Sequence, residues 1–177
     1  MNILALSGSP RRASVNTAFL RAIAALAPPE MEVEVFDGIA QLPVFSPDLE
    51  TQGRPAPVAD FADRIARCDG VIIACPEYVR GLPGGFKNSI DWLVSGEELI
   101  TKPIALAHAS HRGDDMLDAL RLVLSTVSTR FSTELFLRIP VANVAPHDIS
   151  AHLEPHRDEI TAYLADFATY CQDAAPQ

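Results

Sequence analysis

"VIIACPEYVRGLPGGFKNSIDWL", residues 71–93, is the stretch on which the fold turns. Val71 to Cys75 is apolar without a break, as in a strand covered on both faces. After Cys75 come Pro76, Gly81, Pro83, Gly84 and Gly85. Reversing the chain takes one glycine or proline; several of each read as backbone kept bare for a ligand. Beyond them Phe86, Ile90, Leu93 and Val94 recur at helical spacing, with Pro83 at a natural first-turn position. The unit is strand, binding turn, helix.

The same unit recurs along the chain. Ile3 to Leu6 and Ile104 to Ala107 are two more apolar segments, whereas Glu32 to Phe36 ("EVEVF") and Glu134 to Ile139 ("ELFLRI") alternate or are less pure. The pattern predicts three central strands between two edges. Helical spacing marks 14–27, 58–67, 83–94, 116–127 and 156–171, the first opening on Ser14 as N-cap. Strict alternation of strand and helix predicts an α/β three-layer sandwich over residues 1–177 as one domain. Its five-stranded parallel sheet takes the flavodoxin-like order 2-1-3-4-5. Ligands of such sheets sit beyond the carboxyl ends of the strands, which selects the loops 7–14, 76–82 and 108–115. The Pro-rich connection 37–57 carries Leu42, Val44, Phe45 and Leu49 and is expected to pack on the body or on a partner subunit.

Composition narrows the function. The chain has 177 residues, 48% hydrophobic and 21% charged, enough for a full core. A net charge of -9 argues against nucleic acid, whose binders rest on many Lys and Arg contacts to phosphate. No apolar run approaches a membrane span, and "MNILALSGSPRR" reverses the order of a secretory signal, so a cytoplasmic protein without membrane contact is expected. Cys68, Cys75 and Cys171 are an odd count with no CxxC pair; they read as small buried hydrophobes, and no metal site is expected. His108 and His111 lack a third candidate ligand and read as local hydrogen-bonders.

The first loop, "SGSPRRASVN" (7–16), enters a helix whose free N–H groups and dipole attract an anion. Gly8 permits the close turn, Ser9 and Ser14 offer hydroxyls, Arg11 a charge-assisted bond, and Asn16 and Thr17 lie in the first helical turn. An ordinary capped helix with solvated arginines is the plain alternative. In the second loop, main-chain groups held by Pro76 and Pro83 can read the edge of a flat ring, with Tyr78 beside it. The plain alternatives are a partly buried Tyr78, a solvated Glu77, and a surface pair of Lys87 with Asp91.

Together, "GSPRRASVN", "PEYVRGLPGGFKNSIDW" and "LDALRLVL" resemble the NAD(P)H-dependent FMN reductases, a family of flavodoxin-like quinone, chromate and azo-dye reductases, from Met1 to about Ile139. The resemblance implies an FMN phosphate held by Ser9, Arg11, Ser14, Asn16 and Thr17. It implies an isoalloxazine ring on the main chain of Pro76, Glu77, Tyr78 and Val79, with Gly81 nearby and Ser110 and His111 on another side. It further implies NADPH or NADH as reductant, a small-molecule electron acceptor, and a homodimer or homotetramer, for which Phe45, Phe86 and Trp92 are apolar candidates. No side chain is assigned an acid-base role. Main-chain N–H groups of residues 77–79 would stabilise charge on the reduced ring, and Arg80 or Arg112 would attract the nucleotide phosphate.

Two positions depart from the family pattern. Val79 stands where Asn is usual, and the third loop, "HASHRGDD", lacks a Gly-Gly doublet and adds Asp114 and Asp115 where a nucleotide would dock. The acidic loop motivates a second reading, an FMN-binding electron carrier without NAD(P)H oxidation. A third takes Glu77 and Asp91 as the paired carboxylates of a nucleosidase-like hydrolase.

Overall fold

A computed structural model describes residues 1–173. Its strands are β1 (Asn2–Ser7), β2 (Glu32–Phe36), β3 (Gly70–Ala74), β4 (Ile104–His108) and β5 (Phe131–Arg138). All pair in parallel, in the order β2-β1-β3-β4-β5. The order and the central trio match the sequence expectation. β3 and β4 are buried along their whole length, while β2 and β5 keep exposed positions as edges.

Alternation of side chains along each strand splits the core into two layers. Leu4, Leu6, Val71, Ile73, Ile104 and Leu106 face α3 (Ala56–Arg67), α4 (Gly84–Asp91) and α5 (Asp114–Val127). The opposite face meets α1 (Val15–Ala24), α6 (Ile149–Leu153) and α7 (Arg157–Gln172), and there Ala5, Ala74, Ala105 and Ala107 recur. Small residues on that face let Phe19, Leu20, Leu164 and Phe167, each fully buried, lie close on the backbone.

The long connection contains a 3-10 turn (Gly38–Gln41) and α2 (Pro47–Thr51), neither read from the sequence. It packs on the body. The Pro43 carbonyl accepts from Trp92 Nε1 at 2.7 Å and from Asn88 Nδ2 at 2.9 Å, and Asn88 Oδ1 accepts from the Phe45 N–H at 2.7 Å. Phe45 meets the Trp92 ring edge-on at 5.1 Å between centroids. Phe86 and Trp92 are fully buried, so they are core residues and not the subunit-contact candidates that the sequence suggested. Ile39 and Leu42 are buried as well, but Val44 and Leu49 stay exposed.

Asn88 therefore pins the connection through two bonds. Asn88→Ala removes both and strands the Phe45 N–H, a loss of about 2 kcal/mol expected in urea unfolding. An unchanged midpoint would show that the connection is held without Asn88.

Candidate functional site

At the edge where β1 and β3 part, the Gly8 N–H donates to the Ala74 carbonyl at 2.8 Å. A Cβ on Gly8 would stand 2.7 Å from Cys75 Sγ, so only glycine turns the chain here. The first loop then enters α1 through Ser14, whose hydroxyl accepts from the Thr17 N–H at 3.2 Å. The Thr17 and Ser7 hydroxyls pair at 2.8 Å, and Ser9 Oγ accepts from the Arg11 N–H at 3.4 Å. Ser9, Ser14 and Thr17 are buried, and part of their bonding capacity is spent on building the loop. Val15 and Asn16, whose N–H groups have no acceptor within the helix, line a cleft.

That cleft has a volume of about 500 Å3 and lies between the loops after β1, β3, β4 and β5. Clefts of roughly 300 to 1,000 Å3 suit cofactor-sized ligands. Of the residues named from sequence, Asn16, Pro76, Glu77 and Ser110 line it. Arg11 instead borders a separate cavity, lined also by Arg12, Arg21 and Asp37. Tyr78, Val79, Gly81 and His111 are exposed or half-exposed and outside its lining, and Asp91 is paired with Lys87 at 2.5 Å.

Past Glu77 the second loop is a tight hairpin. Tyr78 and Gly81 exchange two main-chain hydrogen bonds, each 3.0 Å, around Val79 at φ +51° and Arg80 at φ +60°. Both central residues sit in the left-handed region, which Asn and Gly favour and β-branched Val opposes. The strained angles thus fall just before the glycines and not on them. A Cβ on Gly84 or Gly85 would meet nothing within 4 Å, so the protein's own packing does not demand these glycines. Tyr78 spends its N–H on Gly81, which removes it from the donors expected to face a ring.

The third loop is organised by His108, the last residue of β4 and 2% exposed. Its Nε2 lies 2.6 Å from the Arg112 carbonyl, which can only accept, so the ring carries its proton on Nε2 and Nδ1 is an acceptor. Nδ1 is buried without a hydrogen-bond partner among the described residues, as is Nε of Arg138, its register partner on β5. Gly113, at φ +100°, packs so tightly on the ring that a Cβ would come within 3.2 Å of it. Burial lowers the His108 pKa from its ordinary 6.5; the Arg112 carbonyl opposes this and Arg138 adds to it. His108 is neutral at pH 7.

The acidic loop is neutralised. Asp114 takes Arg138 Nη2 and Asp115 takes Arg80 Nε, both at 2.5 Å. The hydrogen bond from Arg138 also holds the Asp114 carboxyl below its ordinary range. The two aspartates that the sequence reading placed where a nucleotide would dock are thus both ion-paired, and Arg80 is already engaged; Arg112 lines the cleft.

Residues 141–144 form the fourth wall, which the sequence reading missed. The Ile139 and Val141 N–H groups extend the pairing with β4 past the end of β5, and Asn143 turns the chain at φ +63°. Applying the carboxyl-end rule to the fifth strand would have found this segment. The whole arrangement fits FMN: helix N–H groups at one end suit a phosphate, and peptide edges with apolar Ala109, Val141 and Val144 suit a flat ring.

Comparison with known proteins agrees. The family model described as NADPH-dependent FMN reductase matches residues 1–139. A quinone reductase of Escherichia coli K12 is 37% identical over 113 residues, covering 62% of this chain and 60% of its own length. The chain thus matches about 60% of the length of such curated relatives. Among solved structures, the flavoenzyme NAD(P)H:(acceptor) oxidoreductase FerB from Paracoccus denitrificans superposes with TM-score 0.67 at 22% identity, over 94% of this chain and 98% of that one. Flavodoxin 1 from Bacillus cereus gives TM-score 0.61 at 16% identity, over 96% and 98%. At these identities the two structures support the fold.

Two outcomes follow from this geometry. Val79→Asn relieves the left-handed strain without loss of burial and raises stability by about 1 kcal/mol in urea unfolding; a destabilised variant would contradict the hairpin. His108 has a folded-state pKa below its unfolded value, so the folded form binds fewer protons, and stability is full above about pH 6.5 and falls as pH drops below it. The unfolding midpoint of His108→Gln should therefore fall less than that of the parent between about pH 7.5 and about pH 5.5; equal slopes would refute a buried neutral histidine.

Proposed function

The chain belongs to the NADPH-dependent FMN reductase family, and we propose that it is an FMN-dependent NAD(P)H oxidoreductase acting on a small acceptor such as a quinone. The observation that carries this reading is the cleft itself, walled by the loops at the carboxyl ends of β1, β3, β4 and β5. FMN, when bound, supplies two-electron carriage, taking hydride from the reductant and delivering it to the acceptor.

The protein's part is binding and electrostatics. Val15 and Asn16 offer N–H groups at the start of α1 to the phosphate, and Ser9, Ser14 and Thr17 hold the loop that presents them. Pro76 and Glu77 provide the peptide edge for the ring, and the Glu77 N–H is the donor toward reduced-ring charge. Ser110 and Arg112 close the opposite side. His111 and Tyr78 adjoin lining residues in the chain and Gly81 pairs with Tyr78, so the three serve in this reading as flanking surface.

The carrier reading rested on the acidic third loop, and it loses that support because both aspartates are paired. The hydrolase reading needs Asp91 beside Glu77, yet Asp91 holds Lys87 away from the cleft. A cytoplasmic site fits a nicotinamide reductant and the free thiols of Cys68, Cys75 and Cys171. No helix among the described residues is long and apolar enough to cross a membrane. A homodimer belongs to the same proposal, with exposed Val44, Val79 and Val94 as its apolar contacts.

An anaerobic absorbance titration tests the reading. Added FMN should bind, and NADPH should then bleach the flavin band, with colour returning on addition of a quinone. Val15→Pro, which deletes one of the two offered N–H groups at a first-turn position that tolerates proline, should weaken FMN about tenfold. Flavin that binds but stays oxidised with both NADPH and NADH would favour a carrier, and failure to bind flavin would refute the site.

A further inference from the structure

The third loop supplies Ala109, Ser110, Arg112 and Gly113 to the wall of the cleft, and His108 stands at its root. The Nε2–H of that histidine donates to the Arg112 carbonyl at 2.6 Å. A Cβ on Gly113 would lie 3.2 Å from the imidazole and 3.7 Å from Glu77 Cβ, so Gly113 is pressed between the histidine and the second loop. The ring cannot turn without moving the wall.

The other ring nitrogen adds a condition. His108 and Arg138 are register partners, so their side chains leave the sheet on one face, and His108 Nδ1 and Arg138 Nε are both buried without a partner among the described residues. An acceptor and a donor are complementary, and one buried water would satisfy both. They are complementary only while the ring is neutral. A second ring proton makes Nδ1 a donor as well and leaves two donors with no acceptor between them. Burial disfavours the charged ring and Arg138 repels it, while the Arg112 carbonyl, Asp114 and Glu77 favour it. Asp114 is already taken by Arg138 at 2.5 Å, and Glu77 is exposed to solvent. From β5 the Phe136 ring stacks on the imidazole at 6.4 Å between centroids, and Arg121 of α5 lies over that same ring at 5.2 Å.

We propose that His108 is a positioning residue for the cleft: its neutral ring holds the third loop in the ligand-binding arrangement, and protonation releases that loop. Binding in the cleft and protonation of His108 then oppose each other. Ligand affinity is full above the folded-state pKa of His108, which burial sets below 6.5, and falls as pH drops through it. By the same linkage a cleft ligand makes His108 harder to protonate. That FMN is the ligand so controlled rests on the reductase reading above.

Nitrogen NMR of the His108 ring in the parent protein, titrated with and without FMN, is the first test. FMN should lower the midpoint by at least about half a pH unit, and an unmoved midpoint overturns the proposal. Variants supply the second. His108→Leu should weaken FMN about tenfold at about pH 7.5, and His108→Gln, whose amide N–H can still reach the Arg112 carbonyl, should regain most of that loss. Between about pH 7.5 and about pH 5 the parent should lose FMN affinity about threefold or more relative to His108→Gln; the flavin's phosphate titrates near about pH 6 with both proteins and cancels in the ratio. Parallel pH profiles would overturn the proposal, as would a Gln variant no better than Leu. Hydrogen exchange of residues 109–113 in flavin-free protein separates this proposal from the reductase reading. It should quicken in the parent relative to His108→Gln as pH drops below about 6.5. A loop that opens in this way in a chain that takes no flavin supports the role of His108 and refutes the reductase reading; a loop that stays closed overturns that role whether or not flavin binds.

Discussion

A single main-chain hydrogen bond, Gly8 N–H to the Ala74 carbonyl at 2.8 Å, sets the geometry of everything above the sheet. It ties β1 to β3 at the last point where they still run together, with Cys75 filling the space where any side chain on residue 8 would have to go. From there the chain leaves in two directions, one into α1 and one into the Tyr78 hairpin. The cleft is the gap this divergence opens, and its depth is fixed by how early the strands part.

Much of the sheet was legible because burial on both faces strips a strand of polar residues. β3 and β4 are continuous apolar runs, and the edges retain alternation for the opposite reason. Less visible were features that depend on polar contacts across long stretches of chain. Asn88 and Trp92 look like ordinary helix residues until the fold brings the Pro43 carbonyl to them. Asp114 and Asp115 look like exposed negative charge because their partners, Arg138 and Arg80, stand 24 and 35 residues away. The hairpin misled in another way: with Gly81, Gly84 and Gly85 beside it, nothing in the sequence pointed to Val79 and Arg80 as the residues at positive φ.

The site divides labour between rigid and adjustable parts. Ser7, Ser14 and Thr17 are buried and mutually bonded, and buried Ser9 accepts from the Arg11 N–H, so the end proposed for the phosphate is built before any ligand arrives. The end proposed for the ring is walled by loops joined through the exposed Arg80 to Asp115 pair, which is screened by salt and yields easily. His108 stands between the two regimes, anchoring the third loop by one ring nitrogen while the other has no partner among the described residues.

The two faces of the sheet are unlike in their tolerance of change. Where Leu, Ile and Val meet α3, α4 and α5, volume can be redistributed among many large neighbours, and drift there proceeds by exchange of one bulky group for another. Where Ala5, Ala74, Ala105 and Ala107 meet α1 and α7, every added methylene must push a whole helix outward, and α1 carries the first loop on its end. That face is therefore the one through which a remote core substitution reaches the cleft: it acts as a spacer whose thickness sets where the first loop stands.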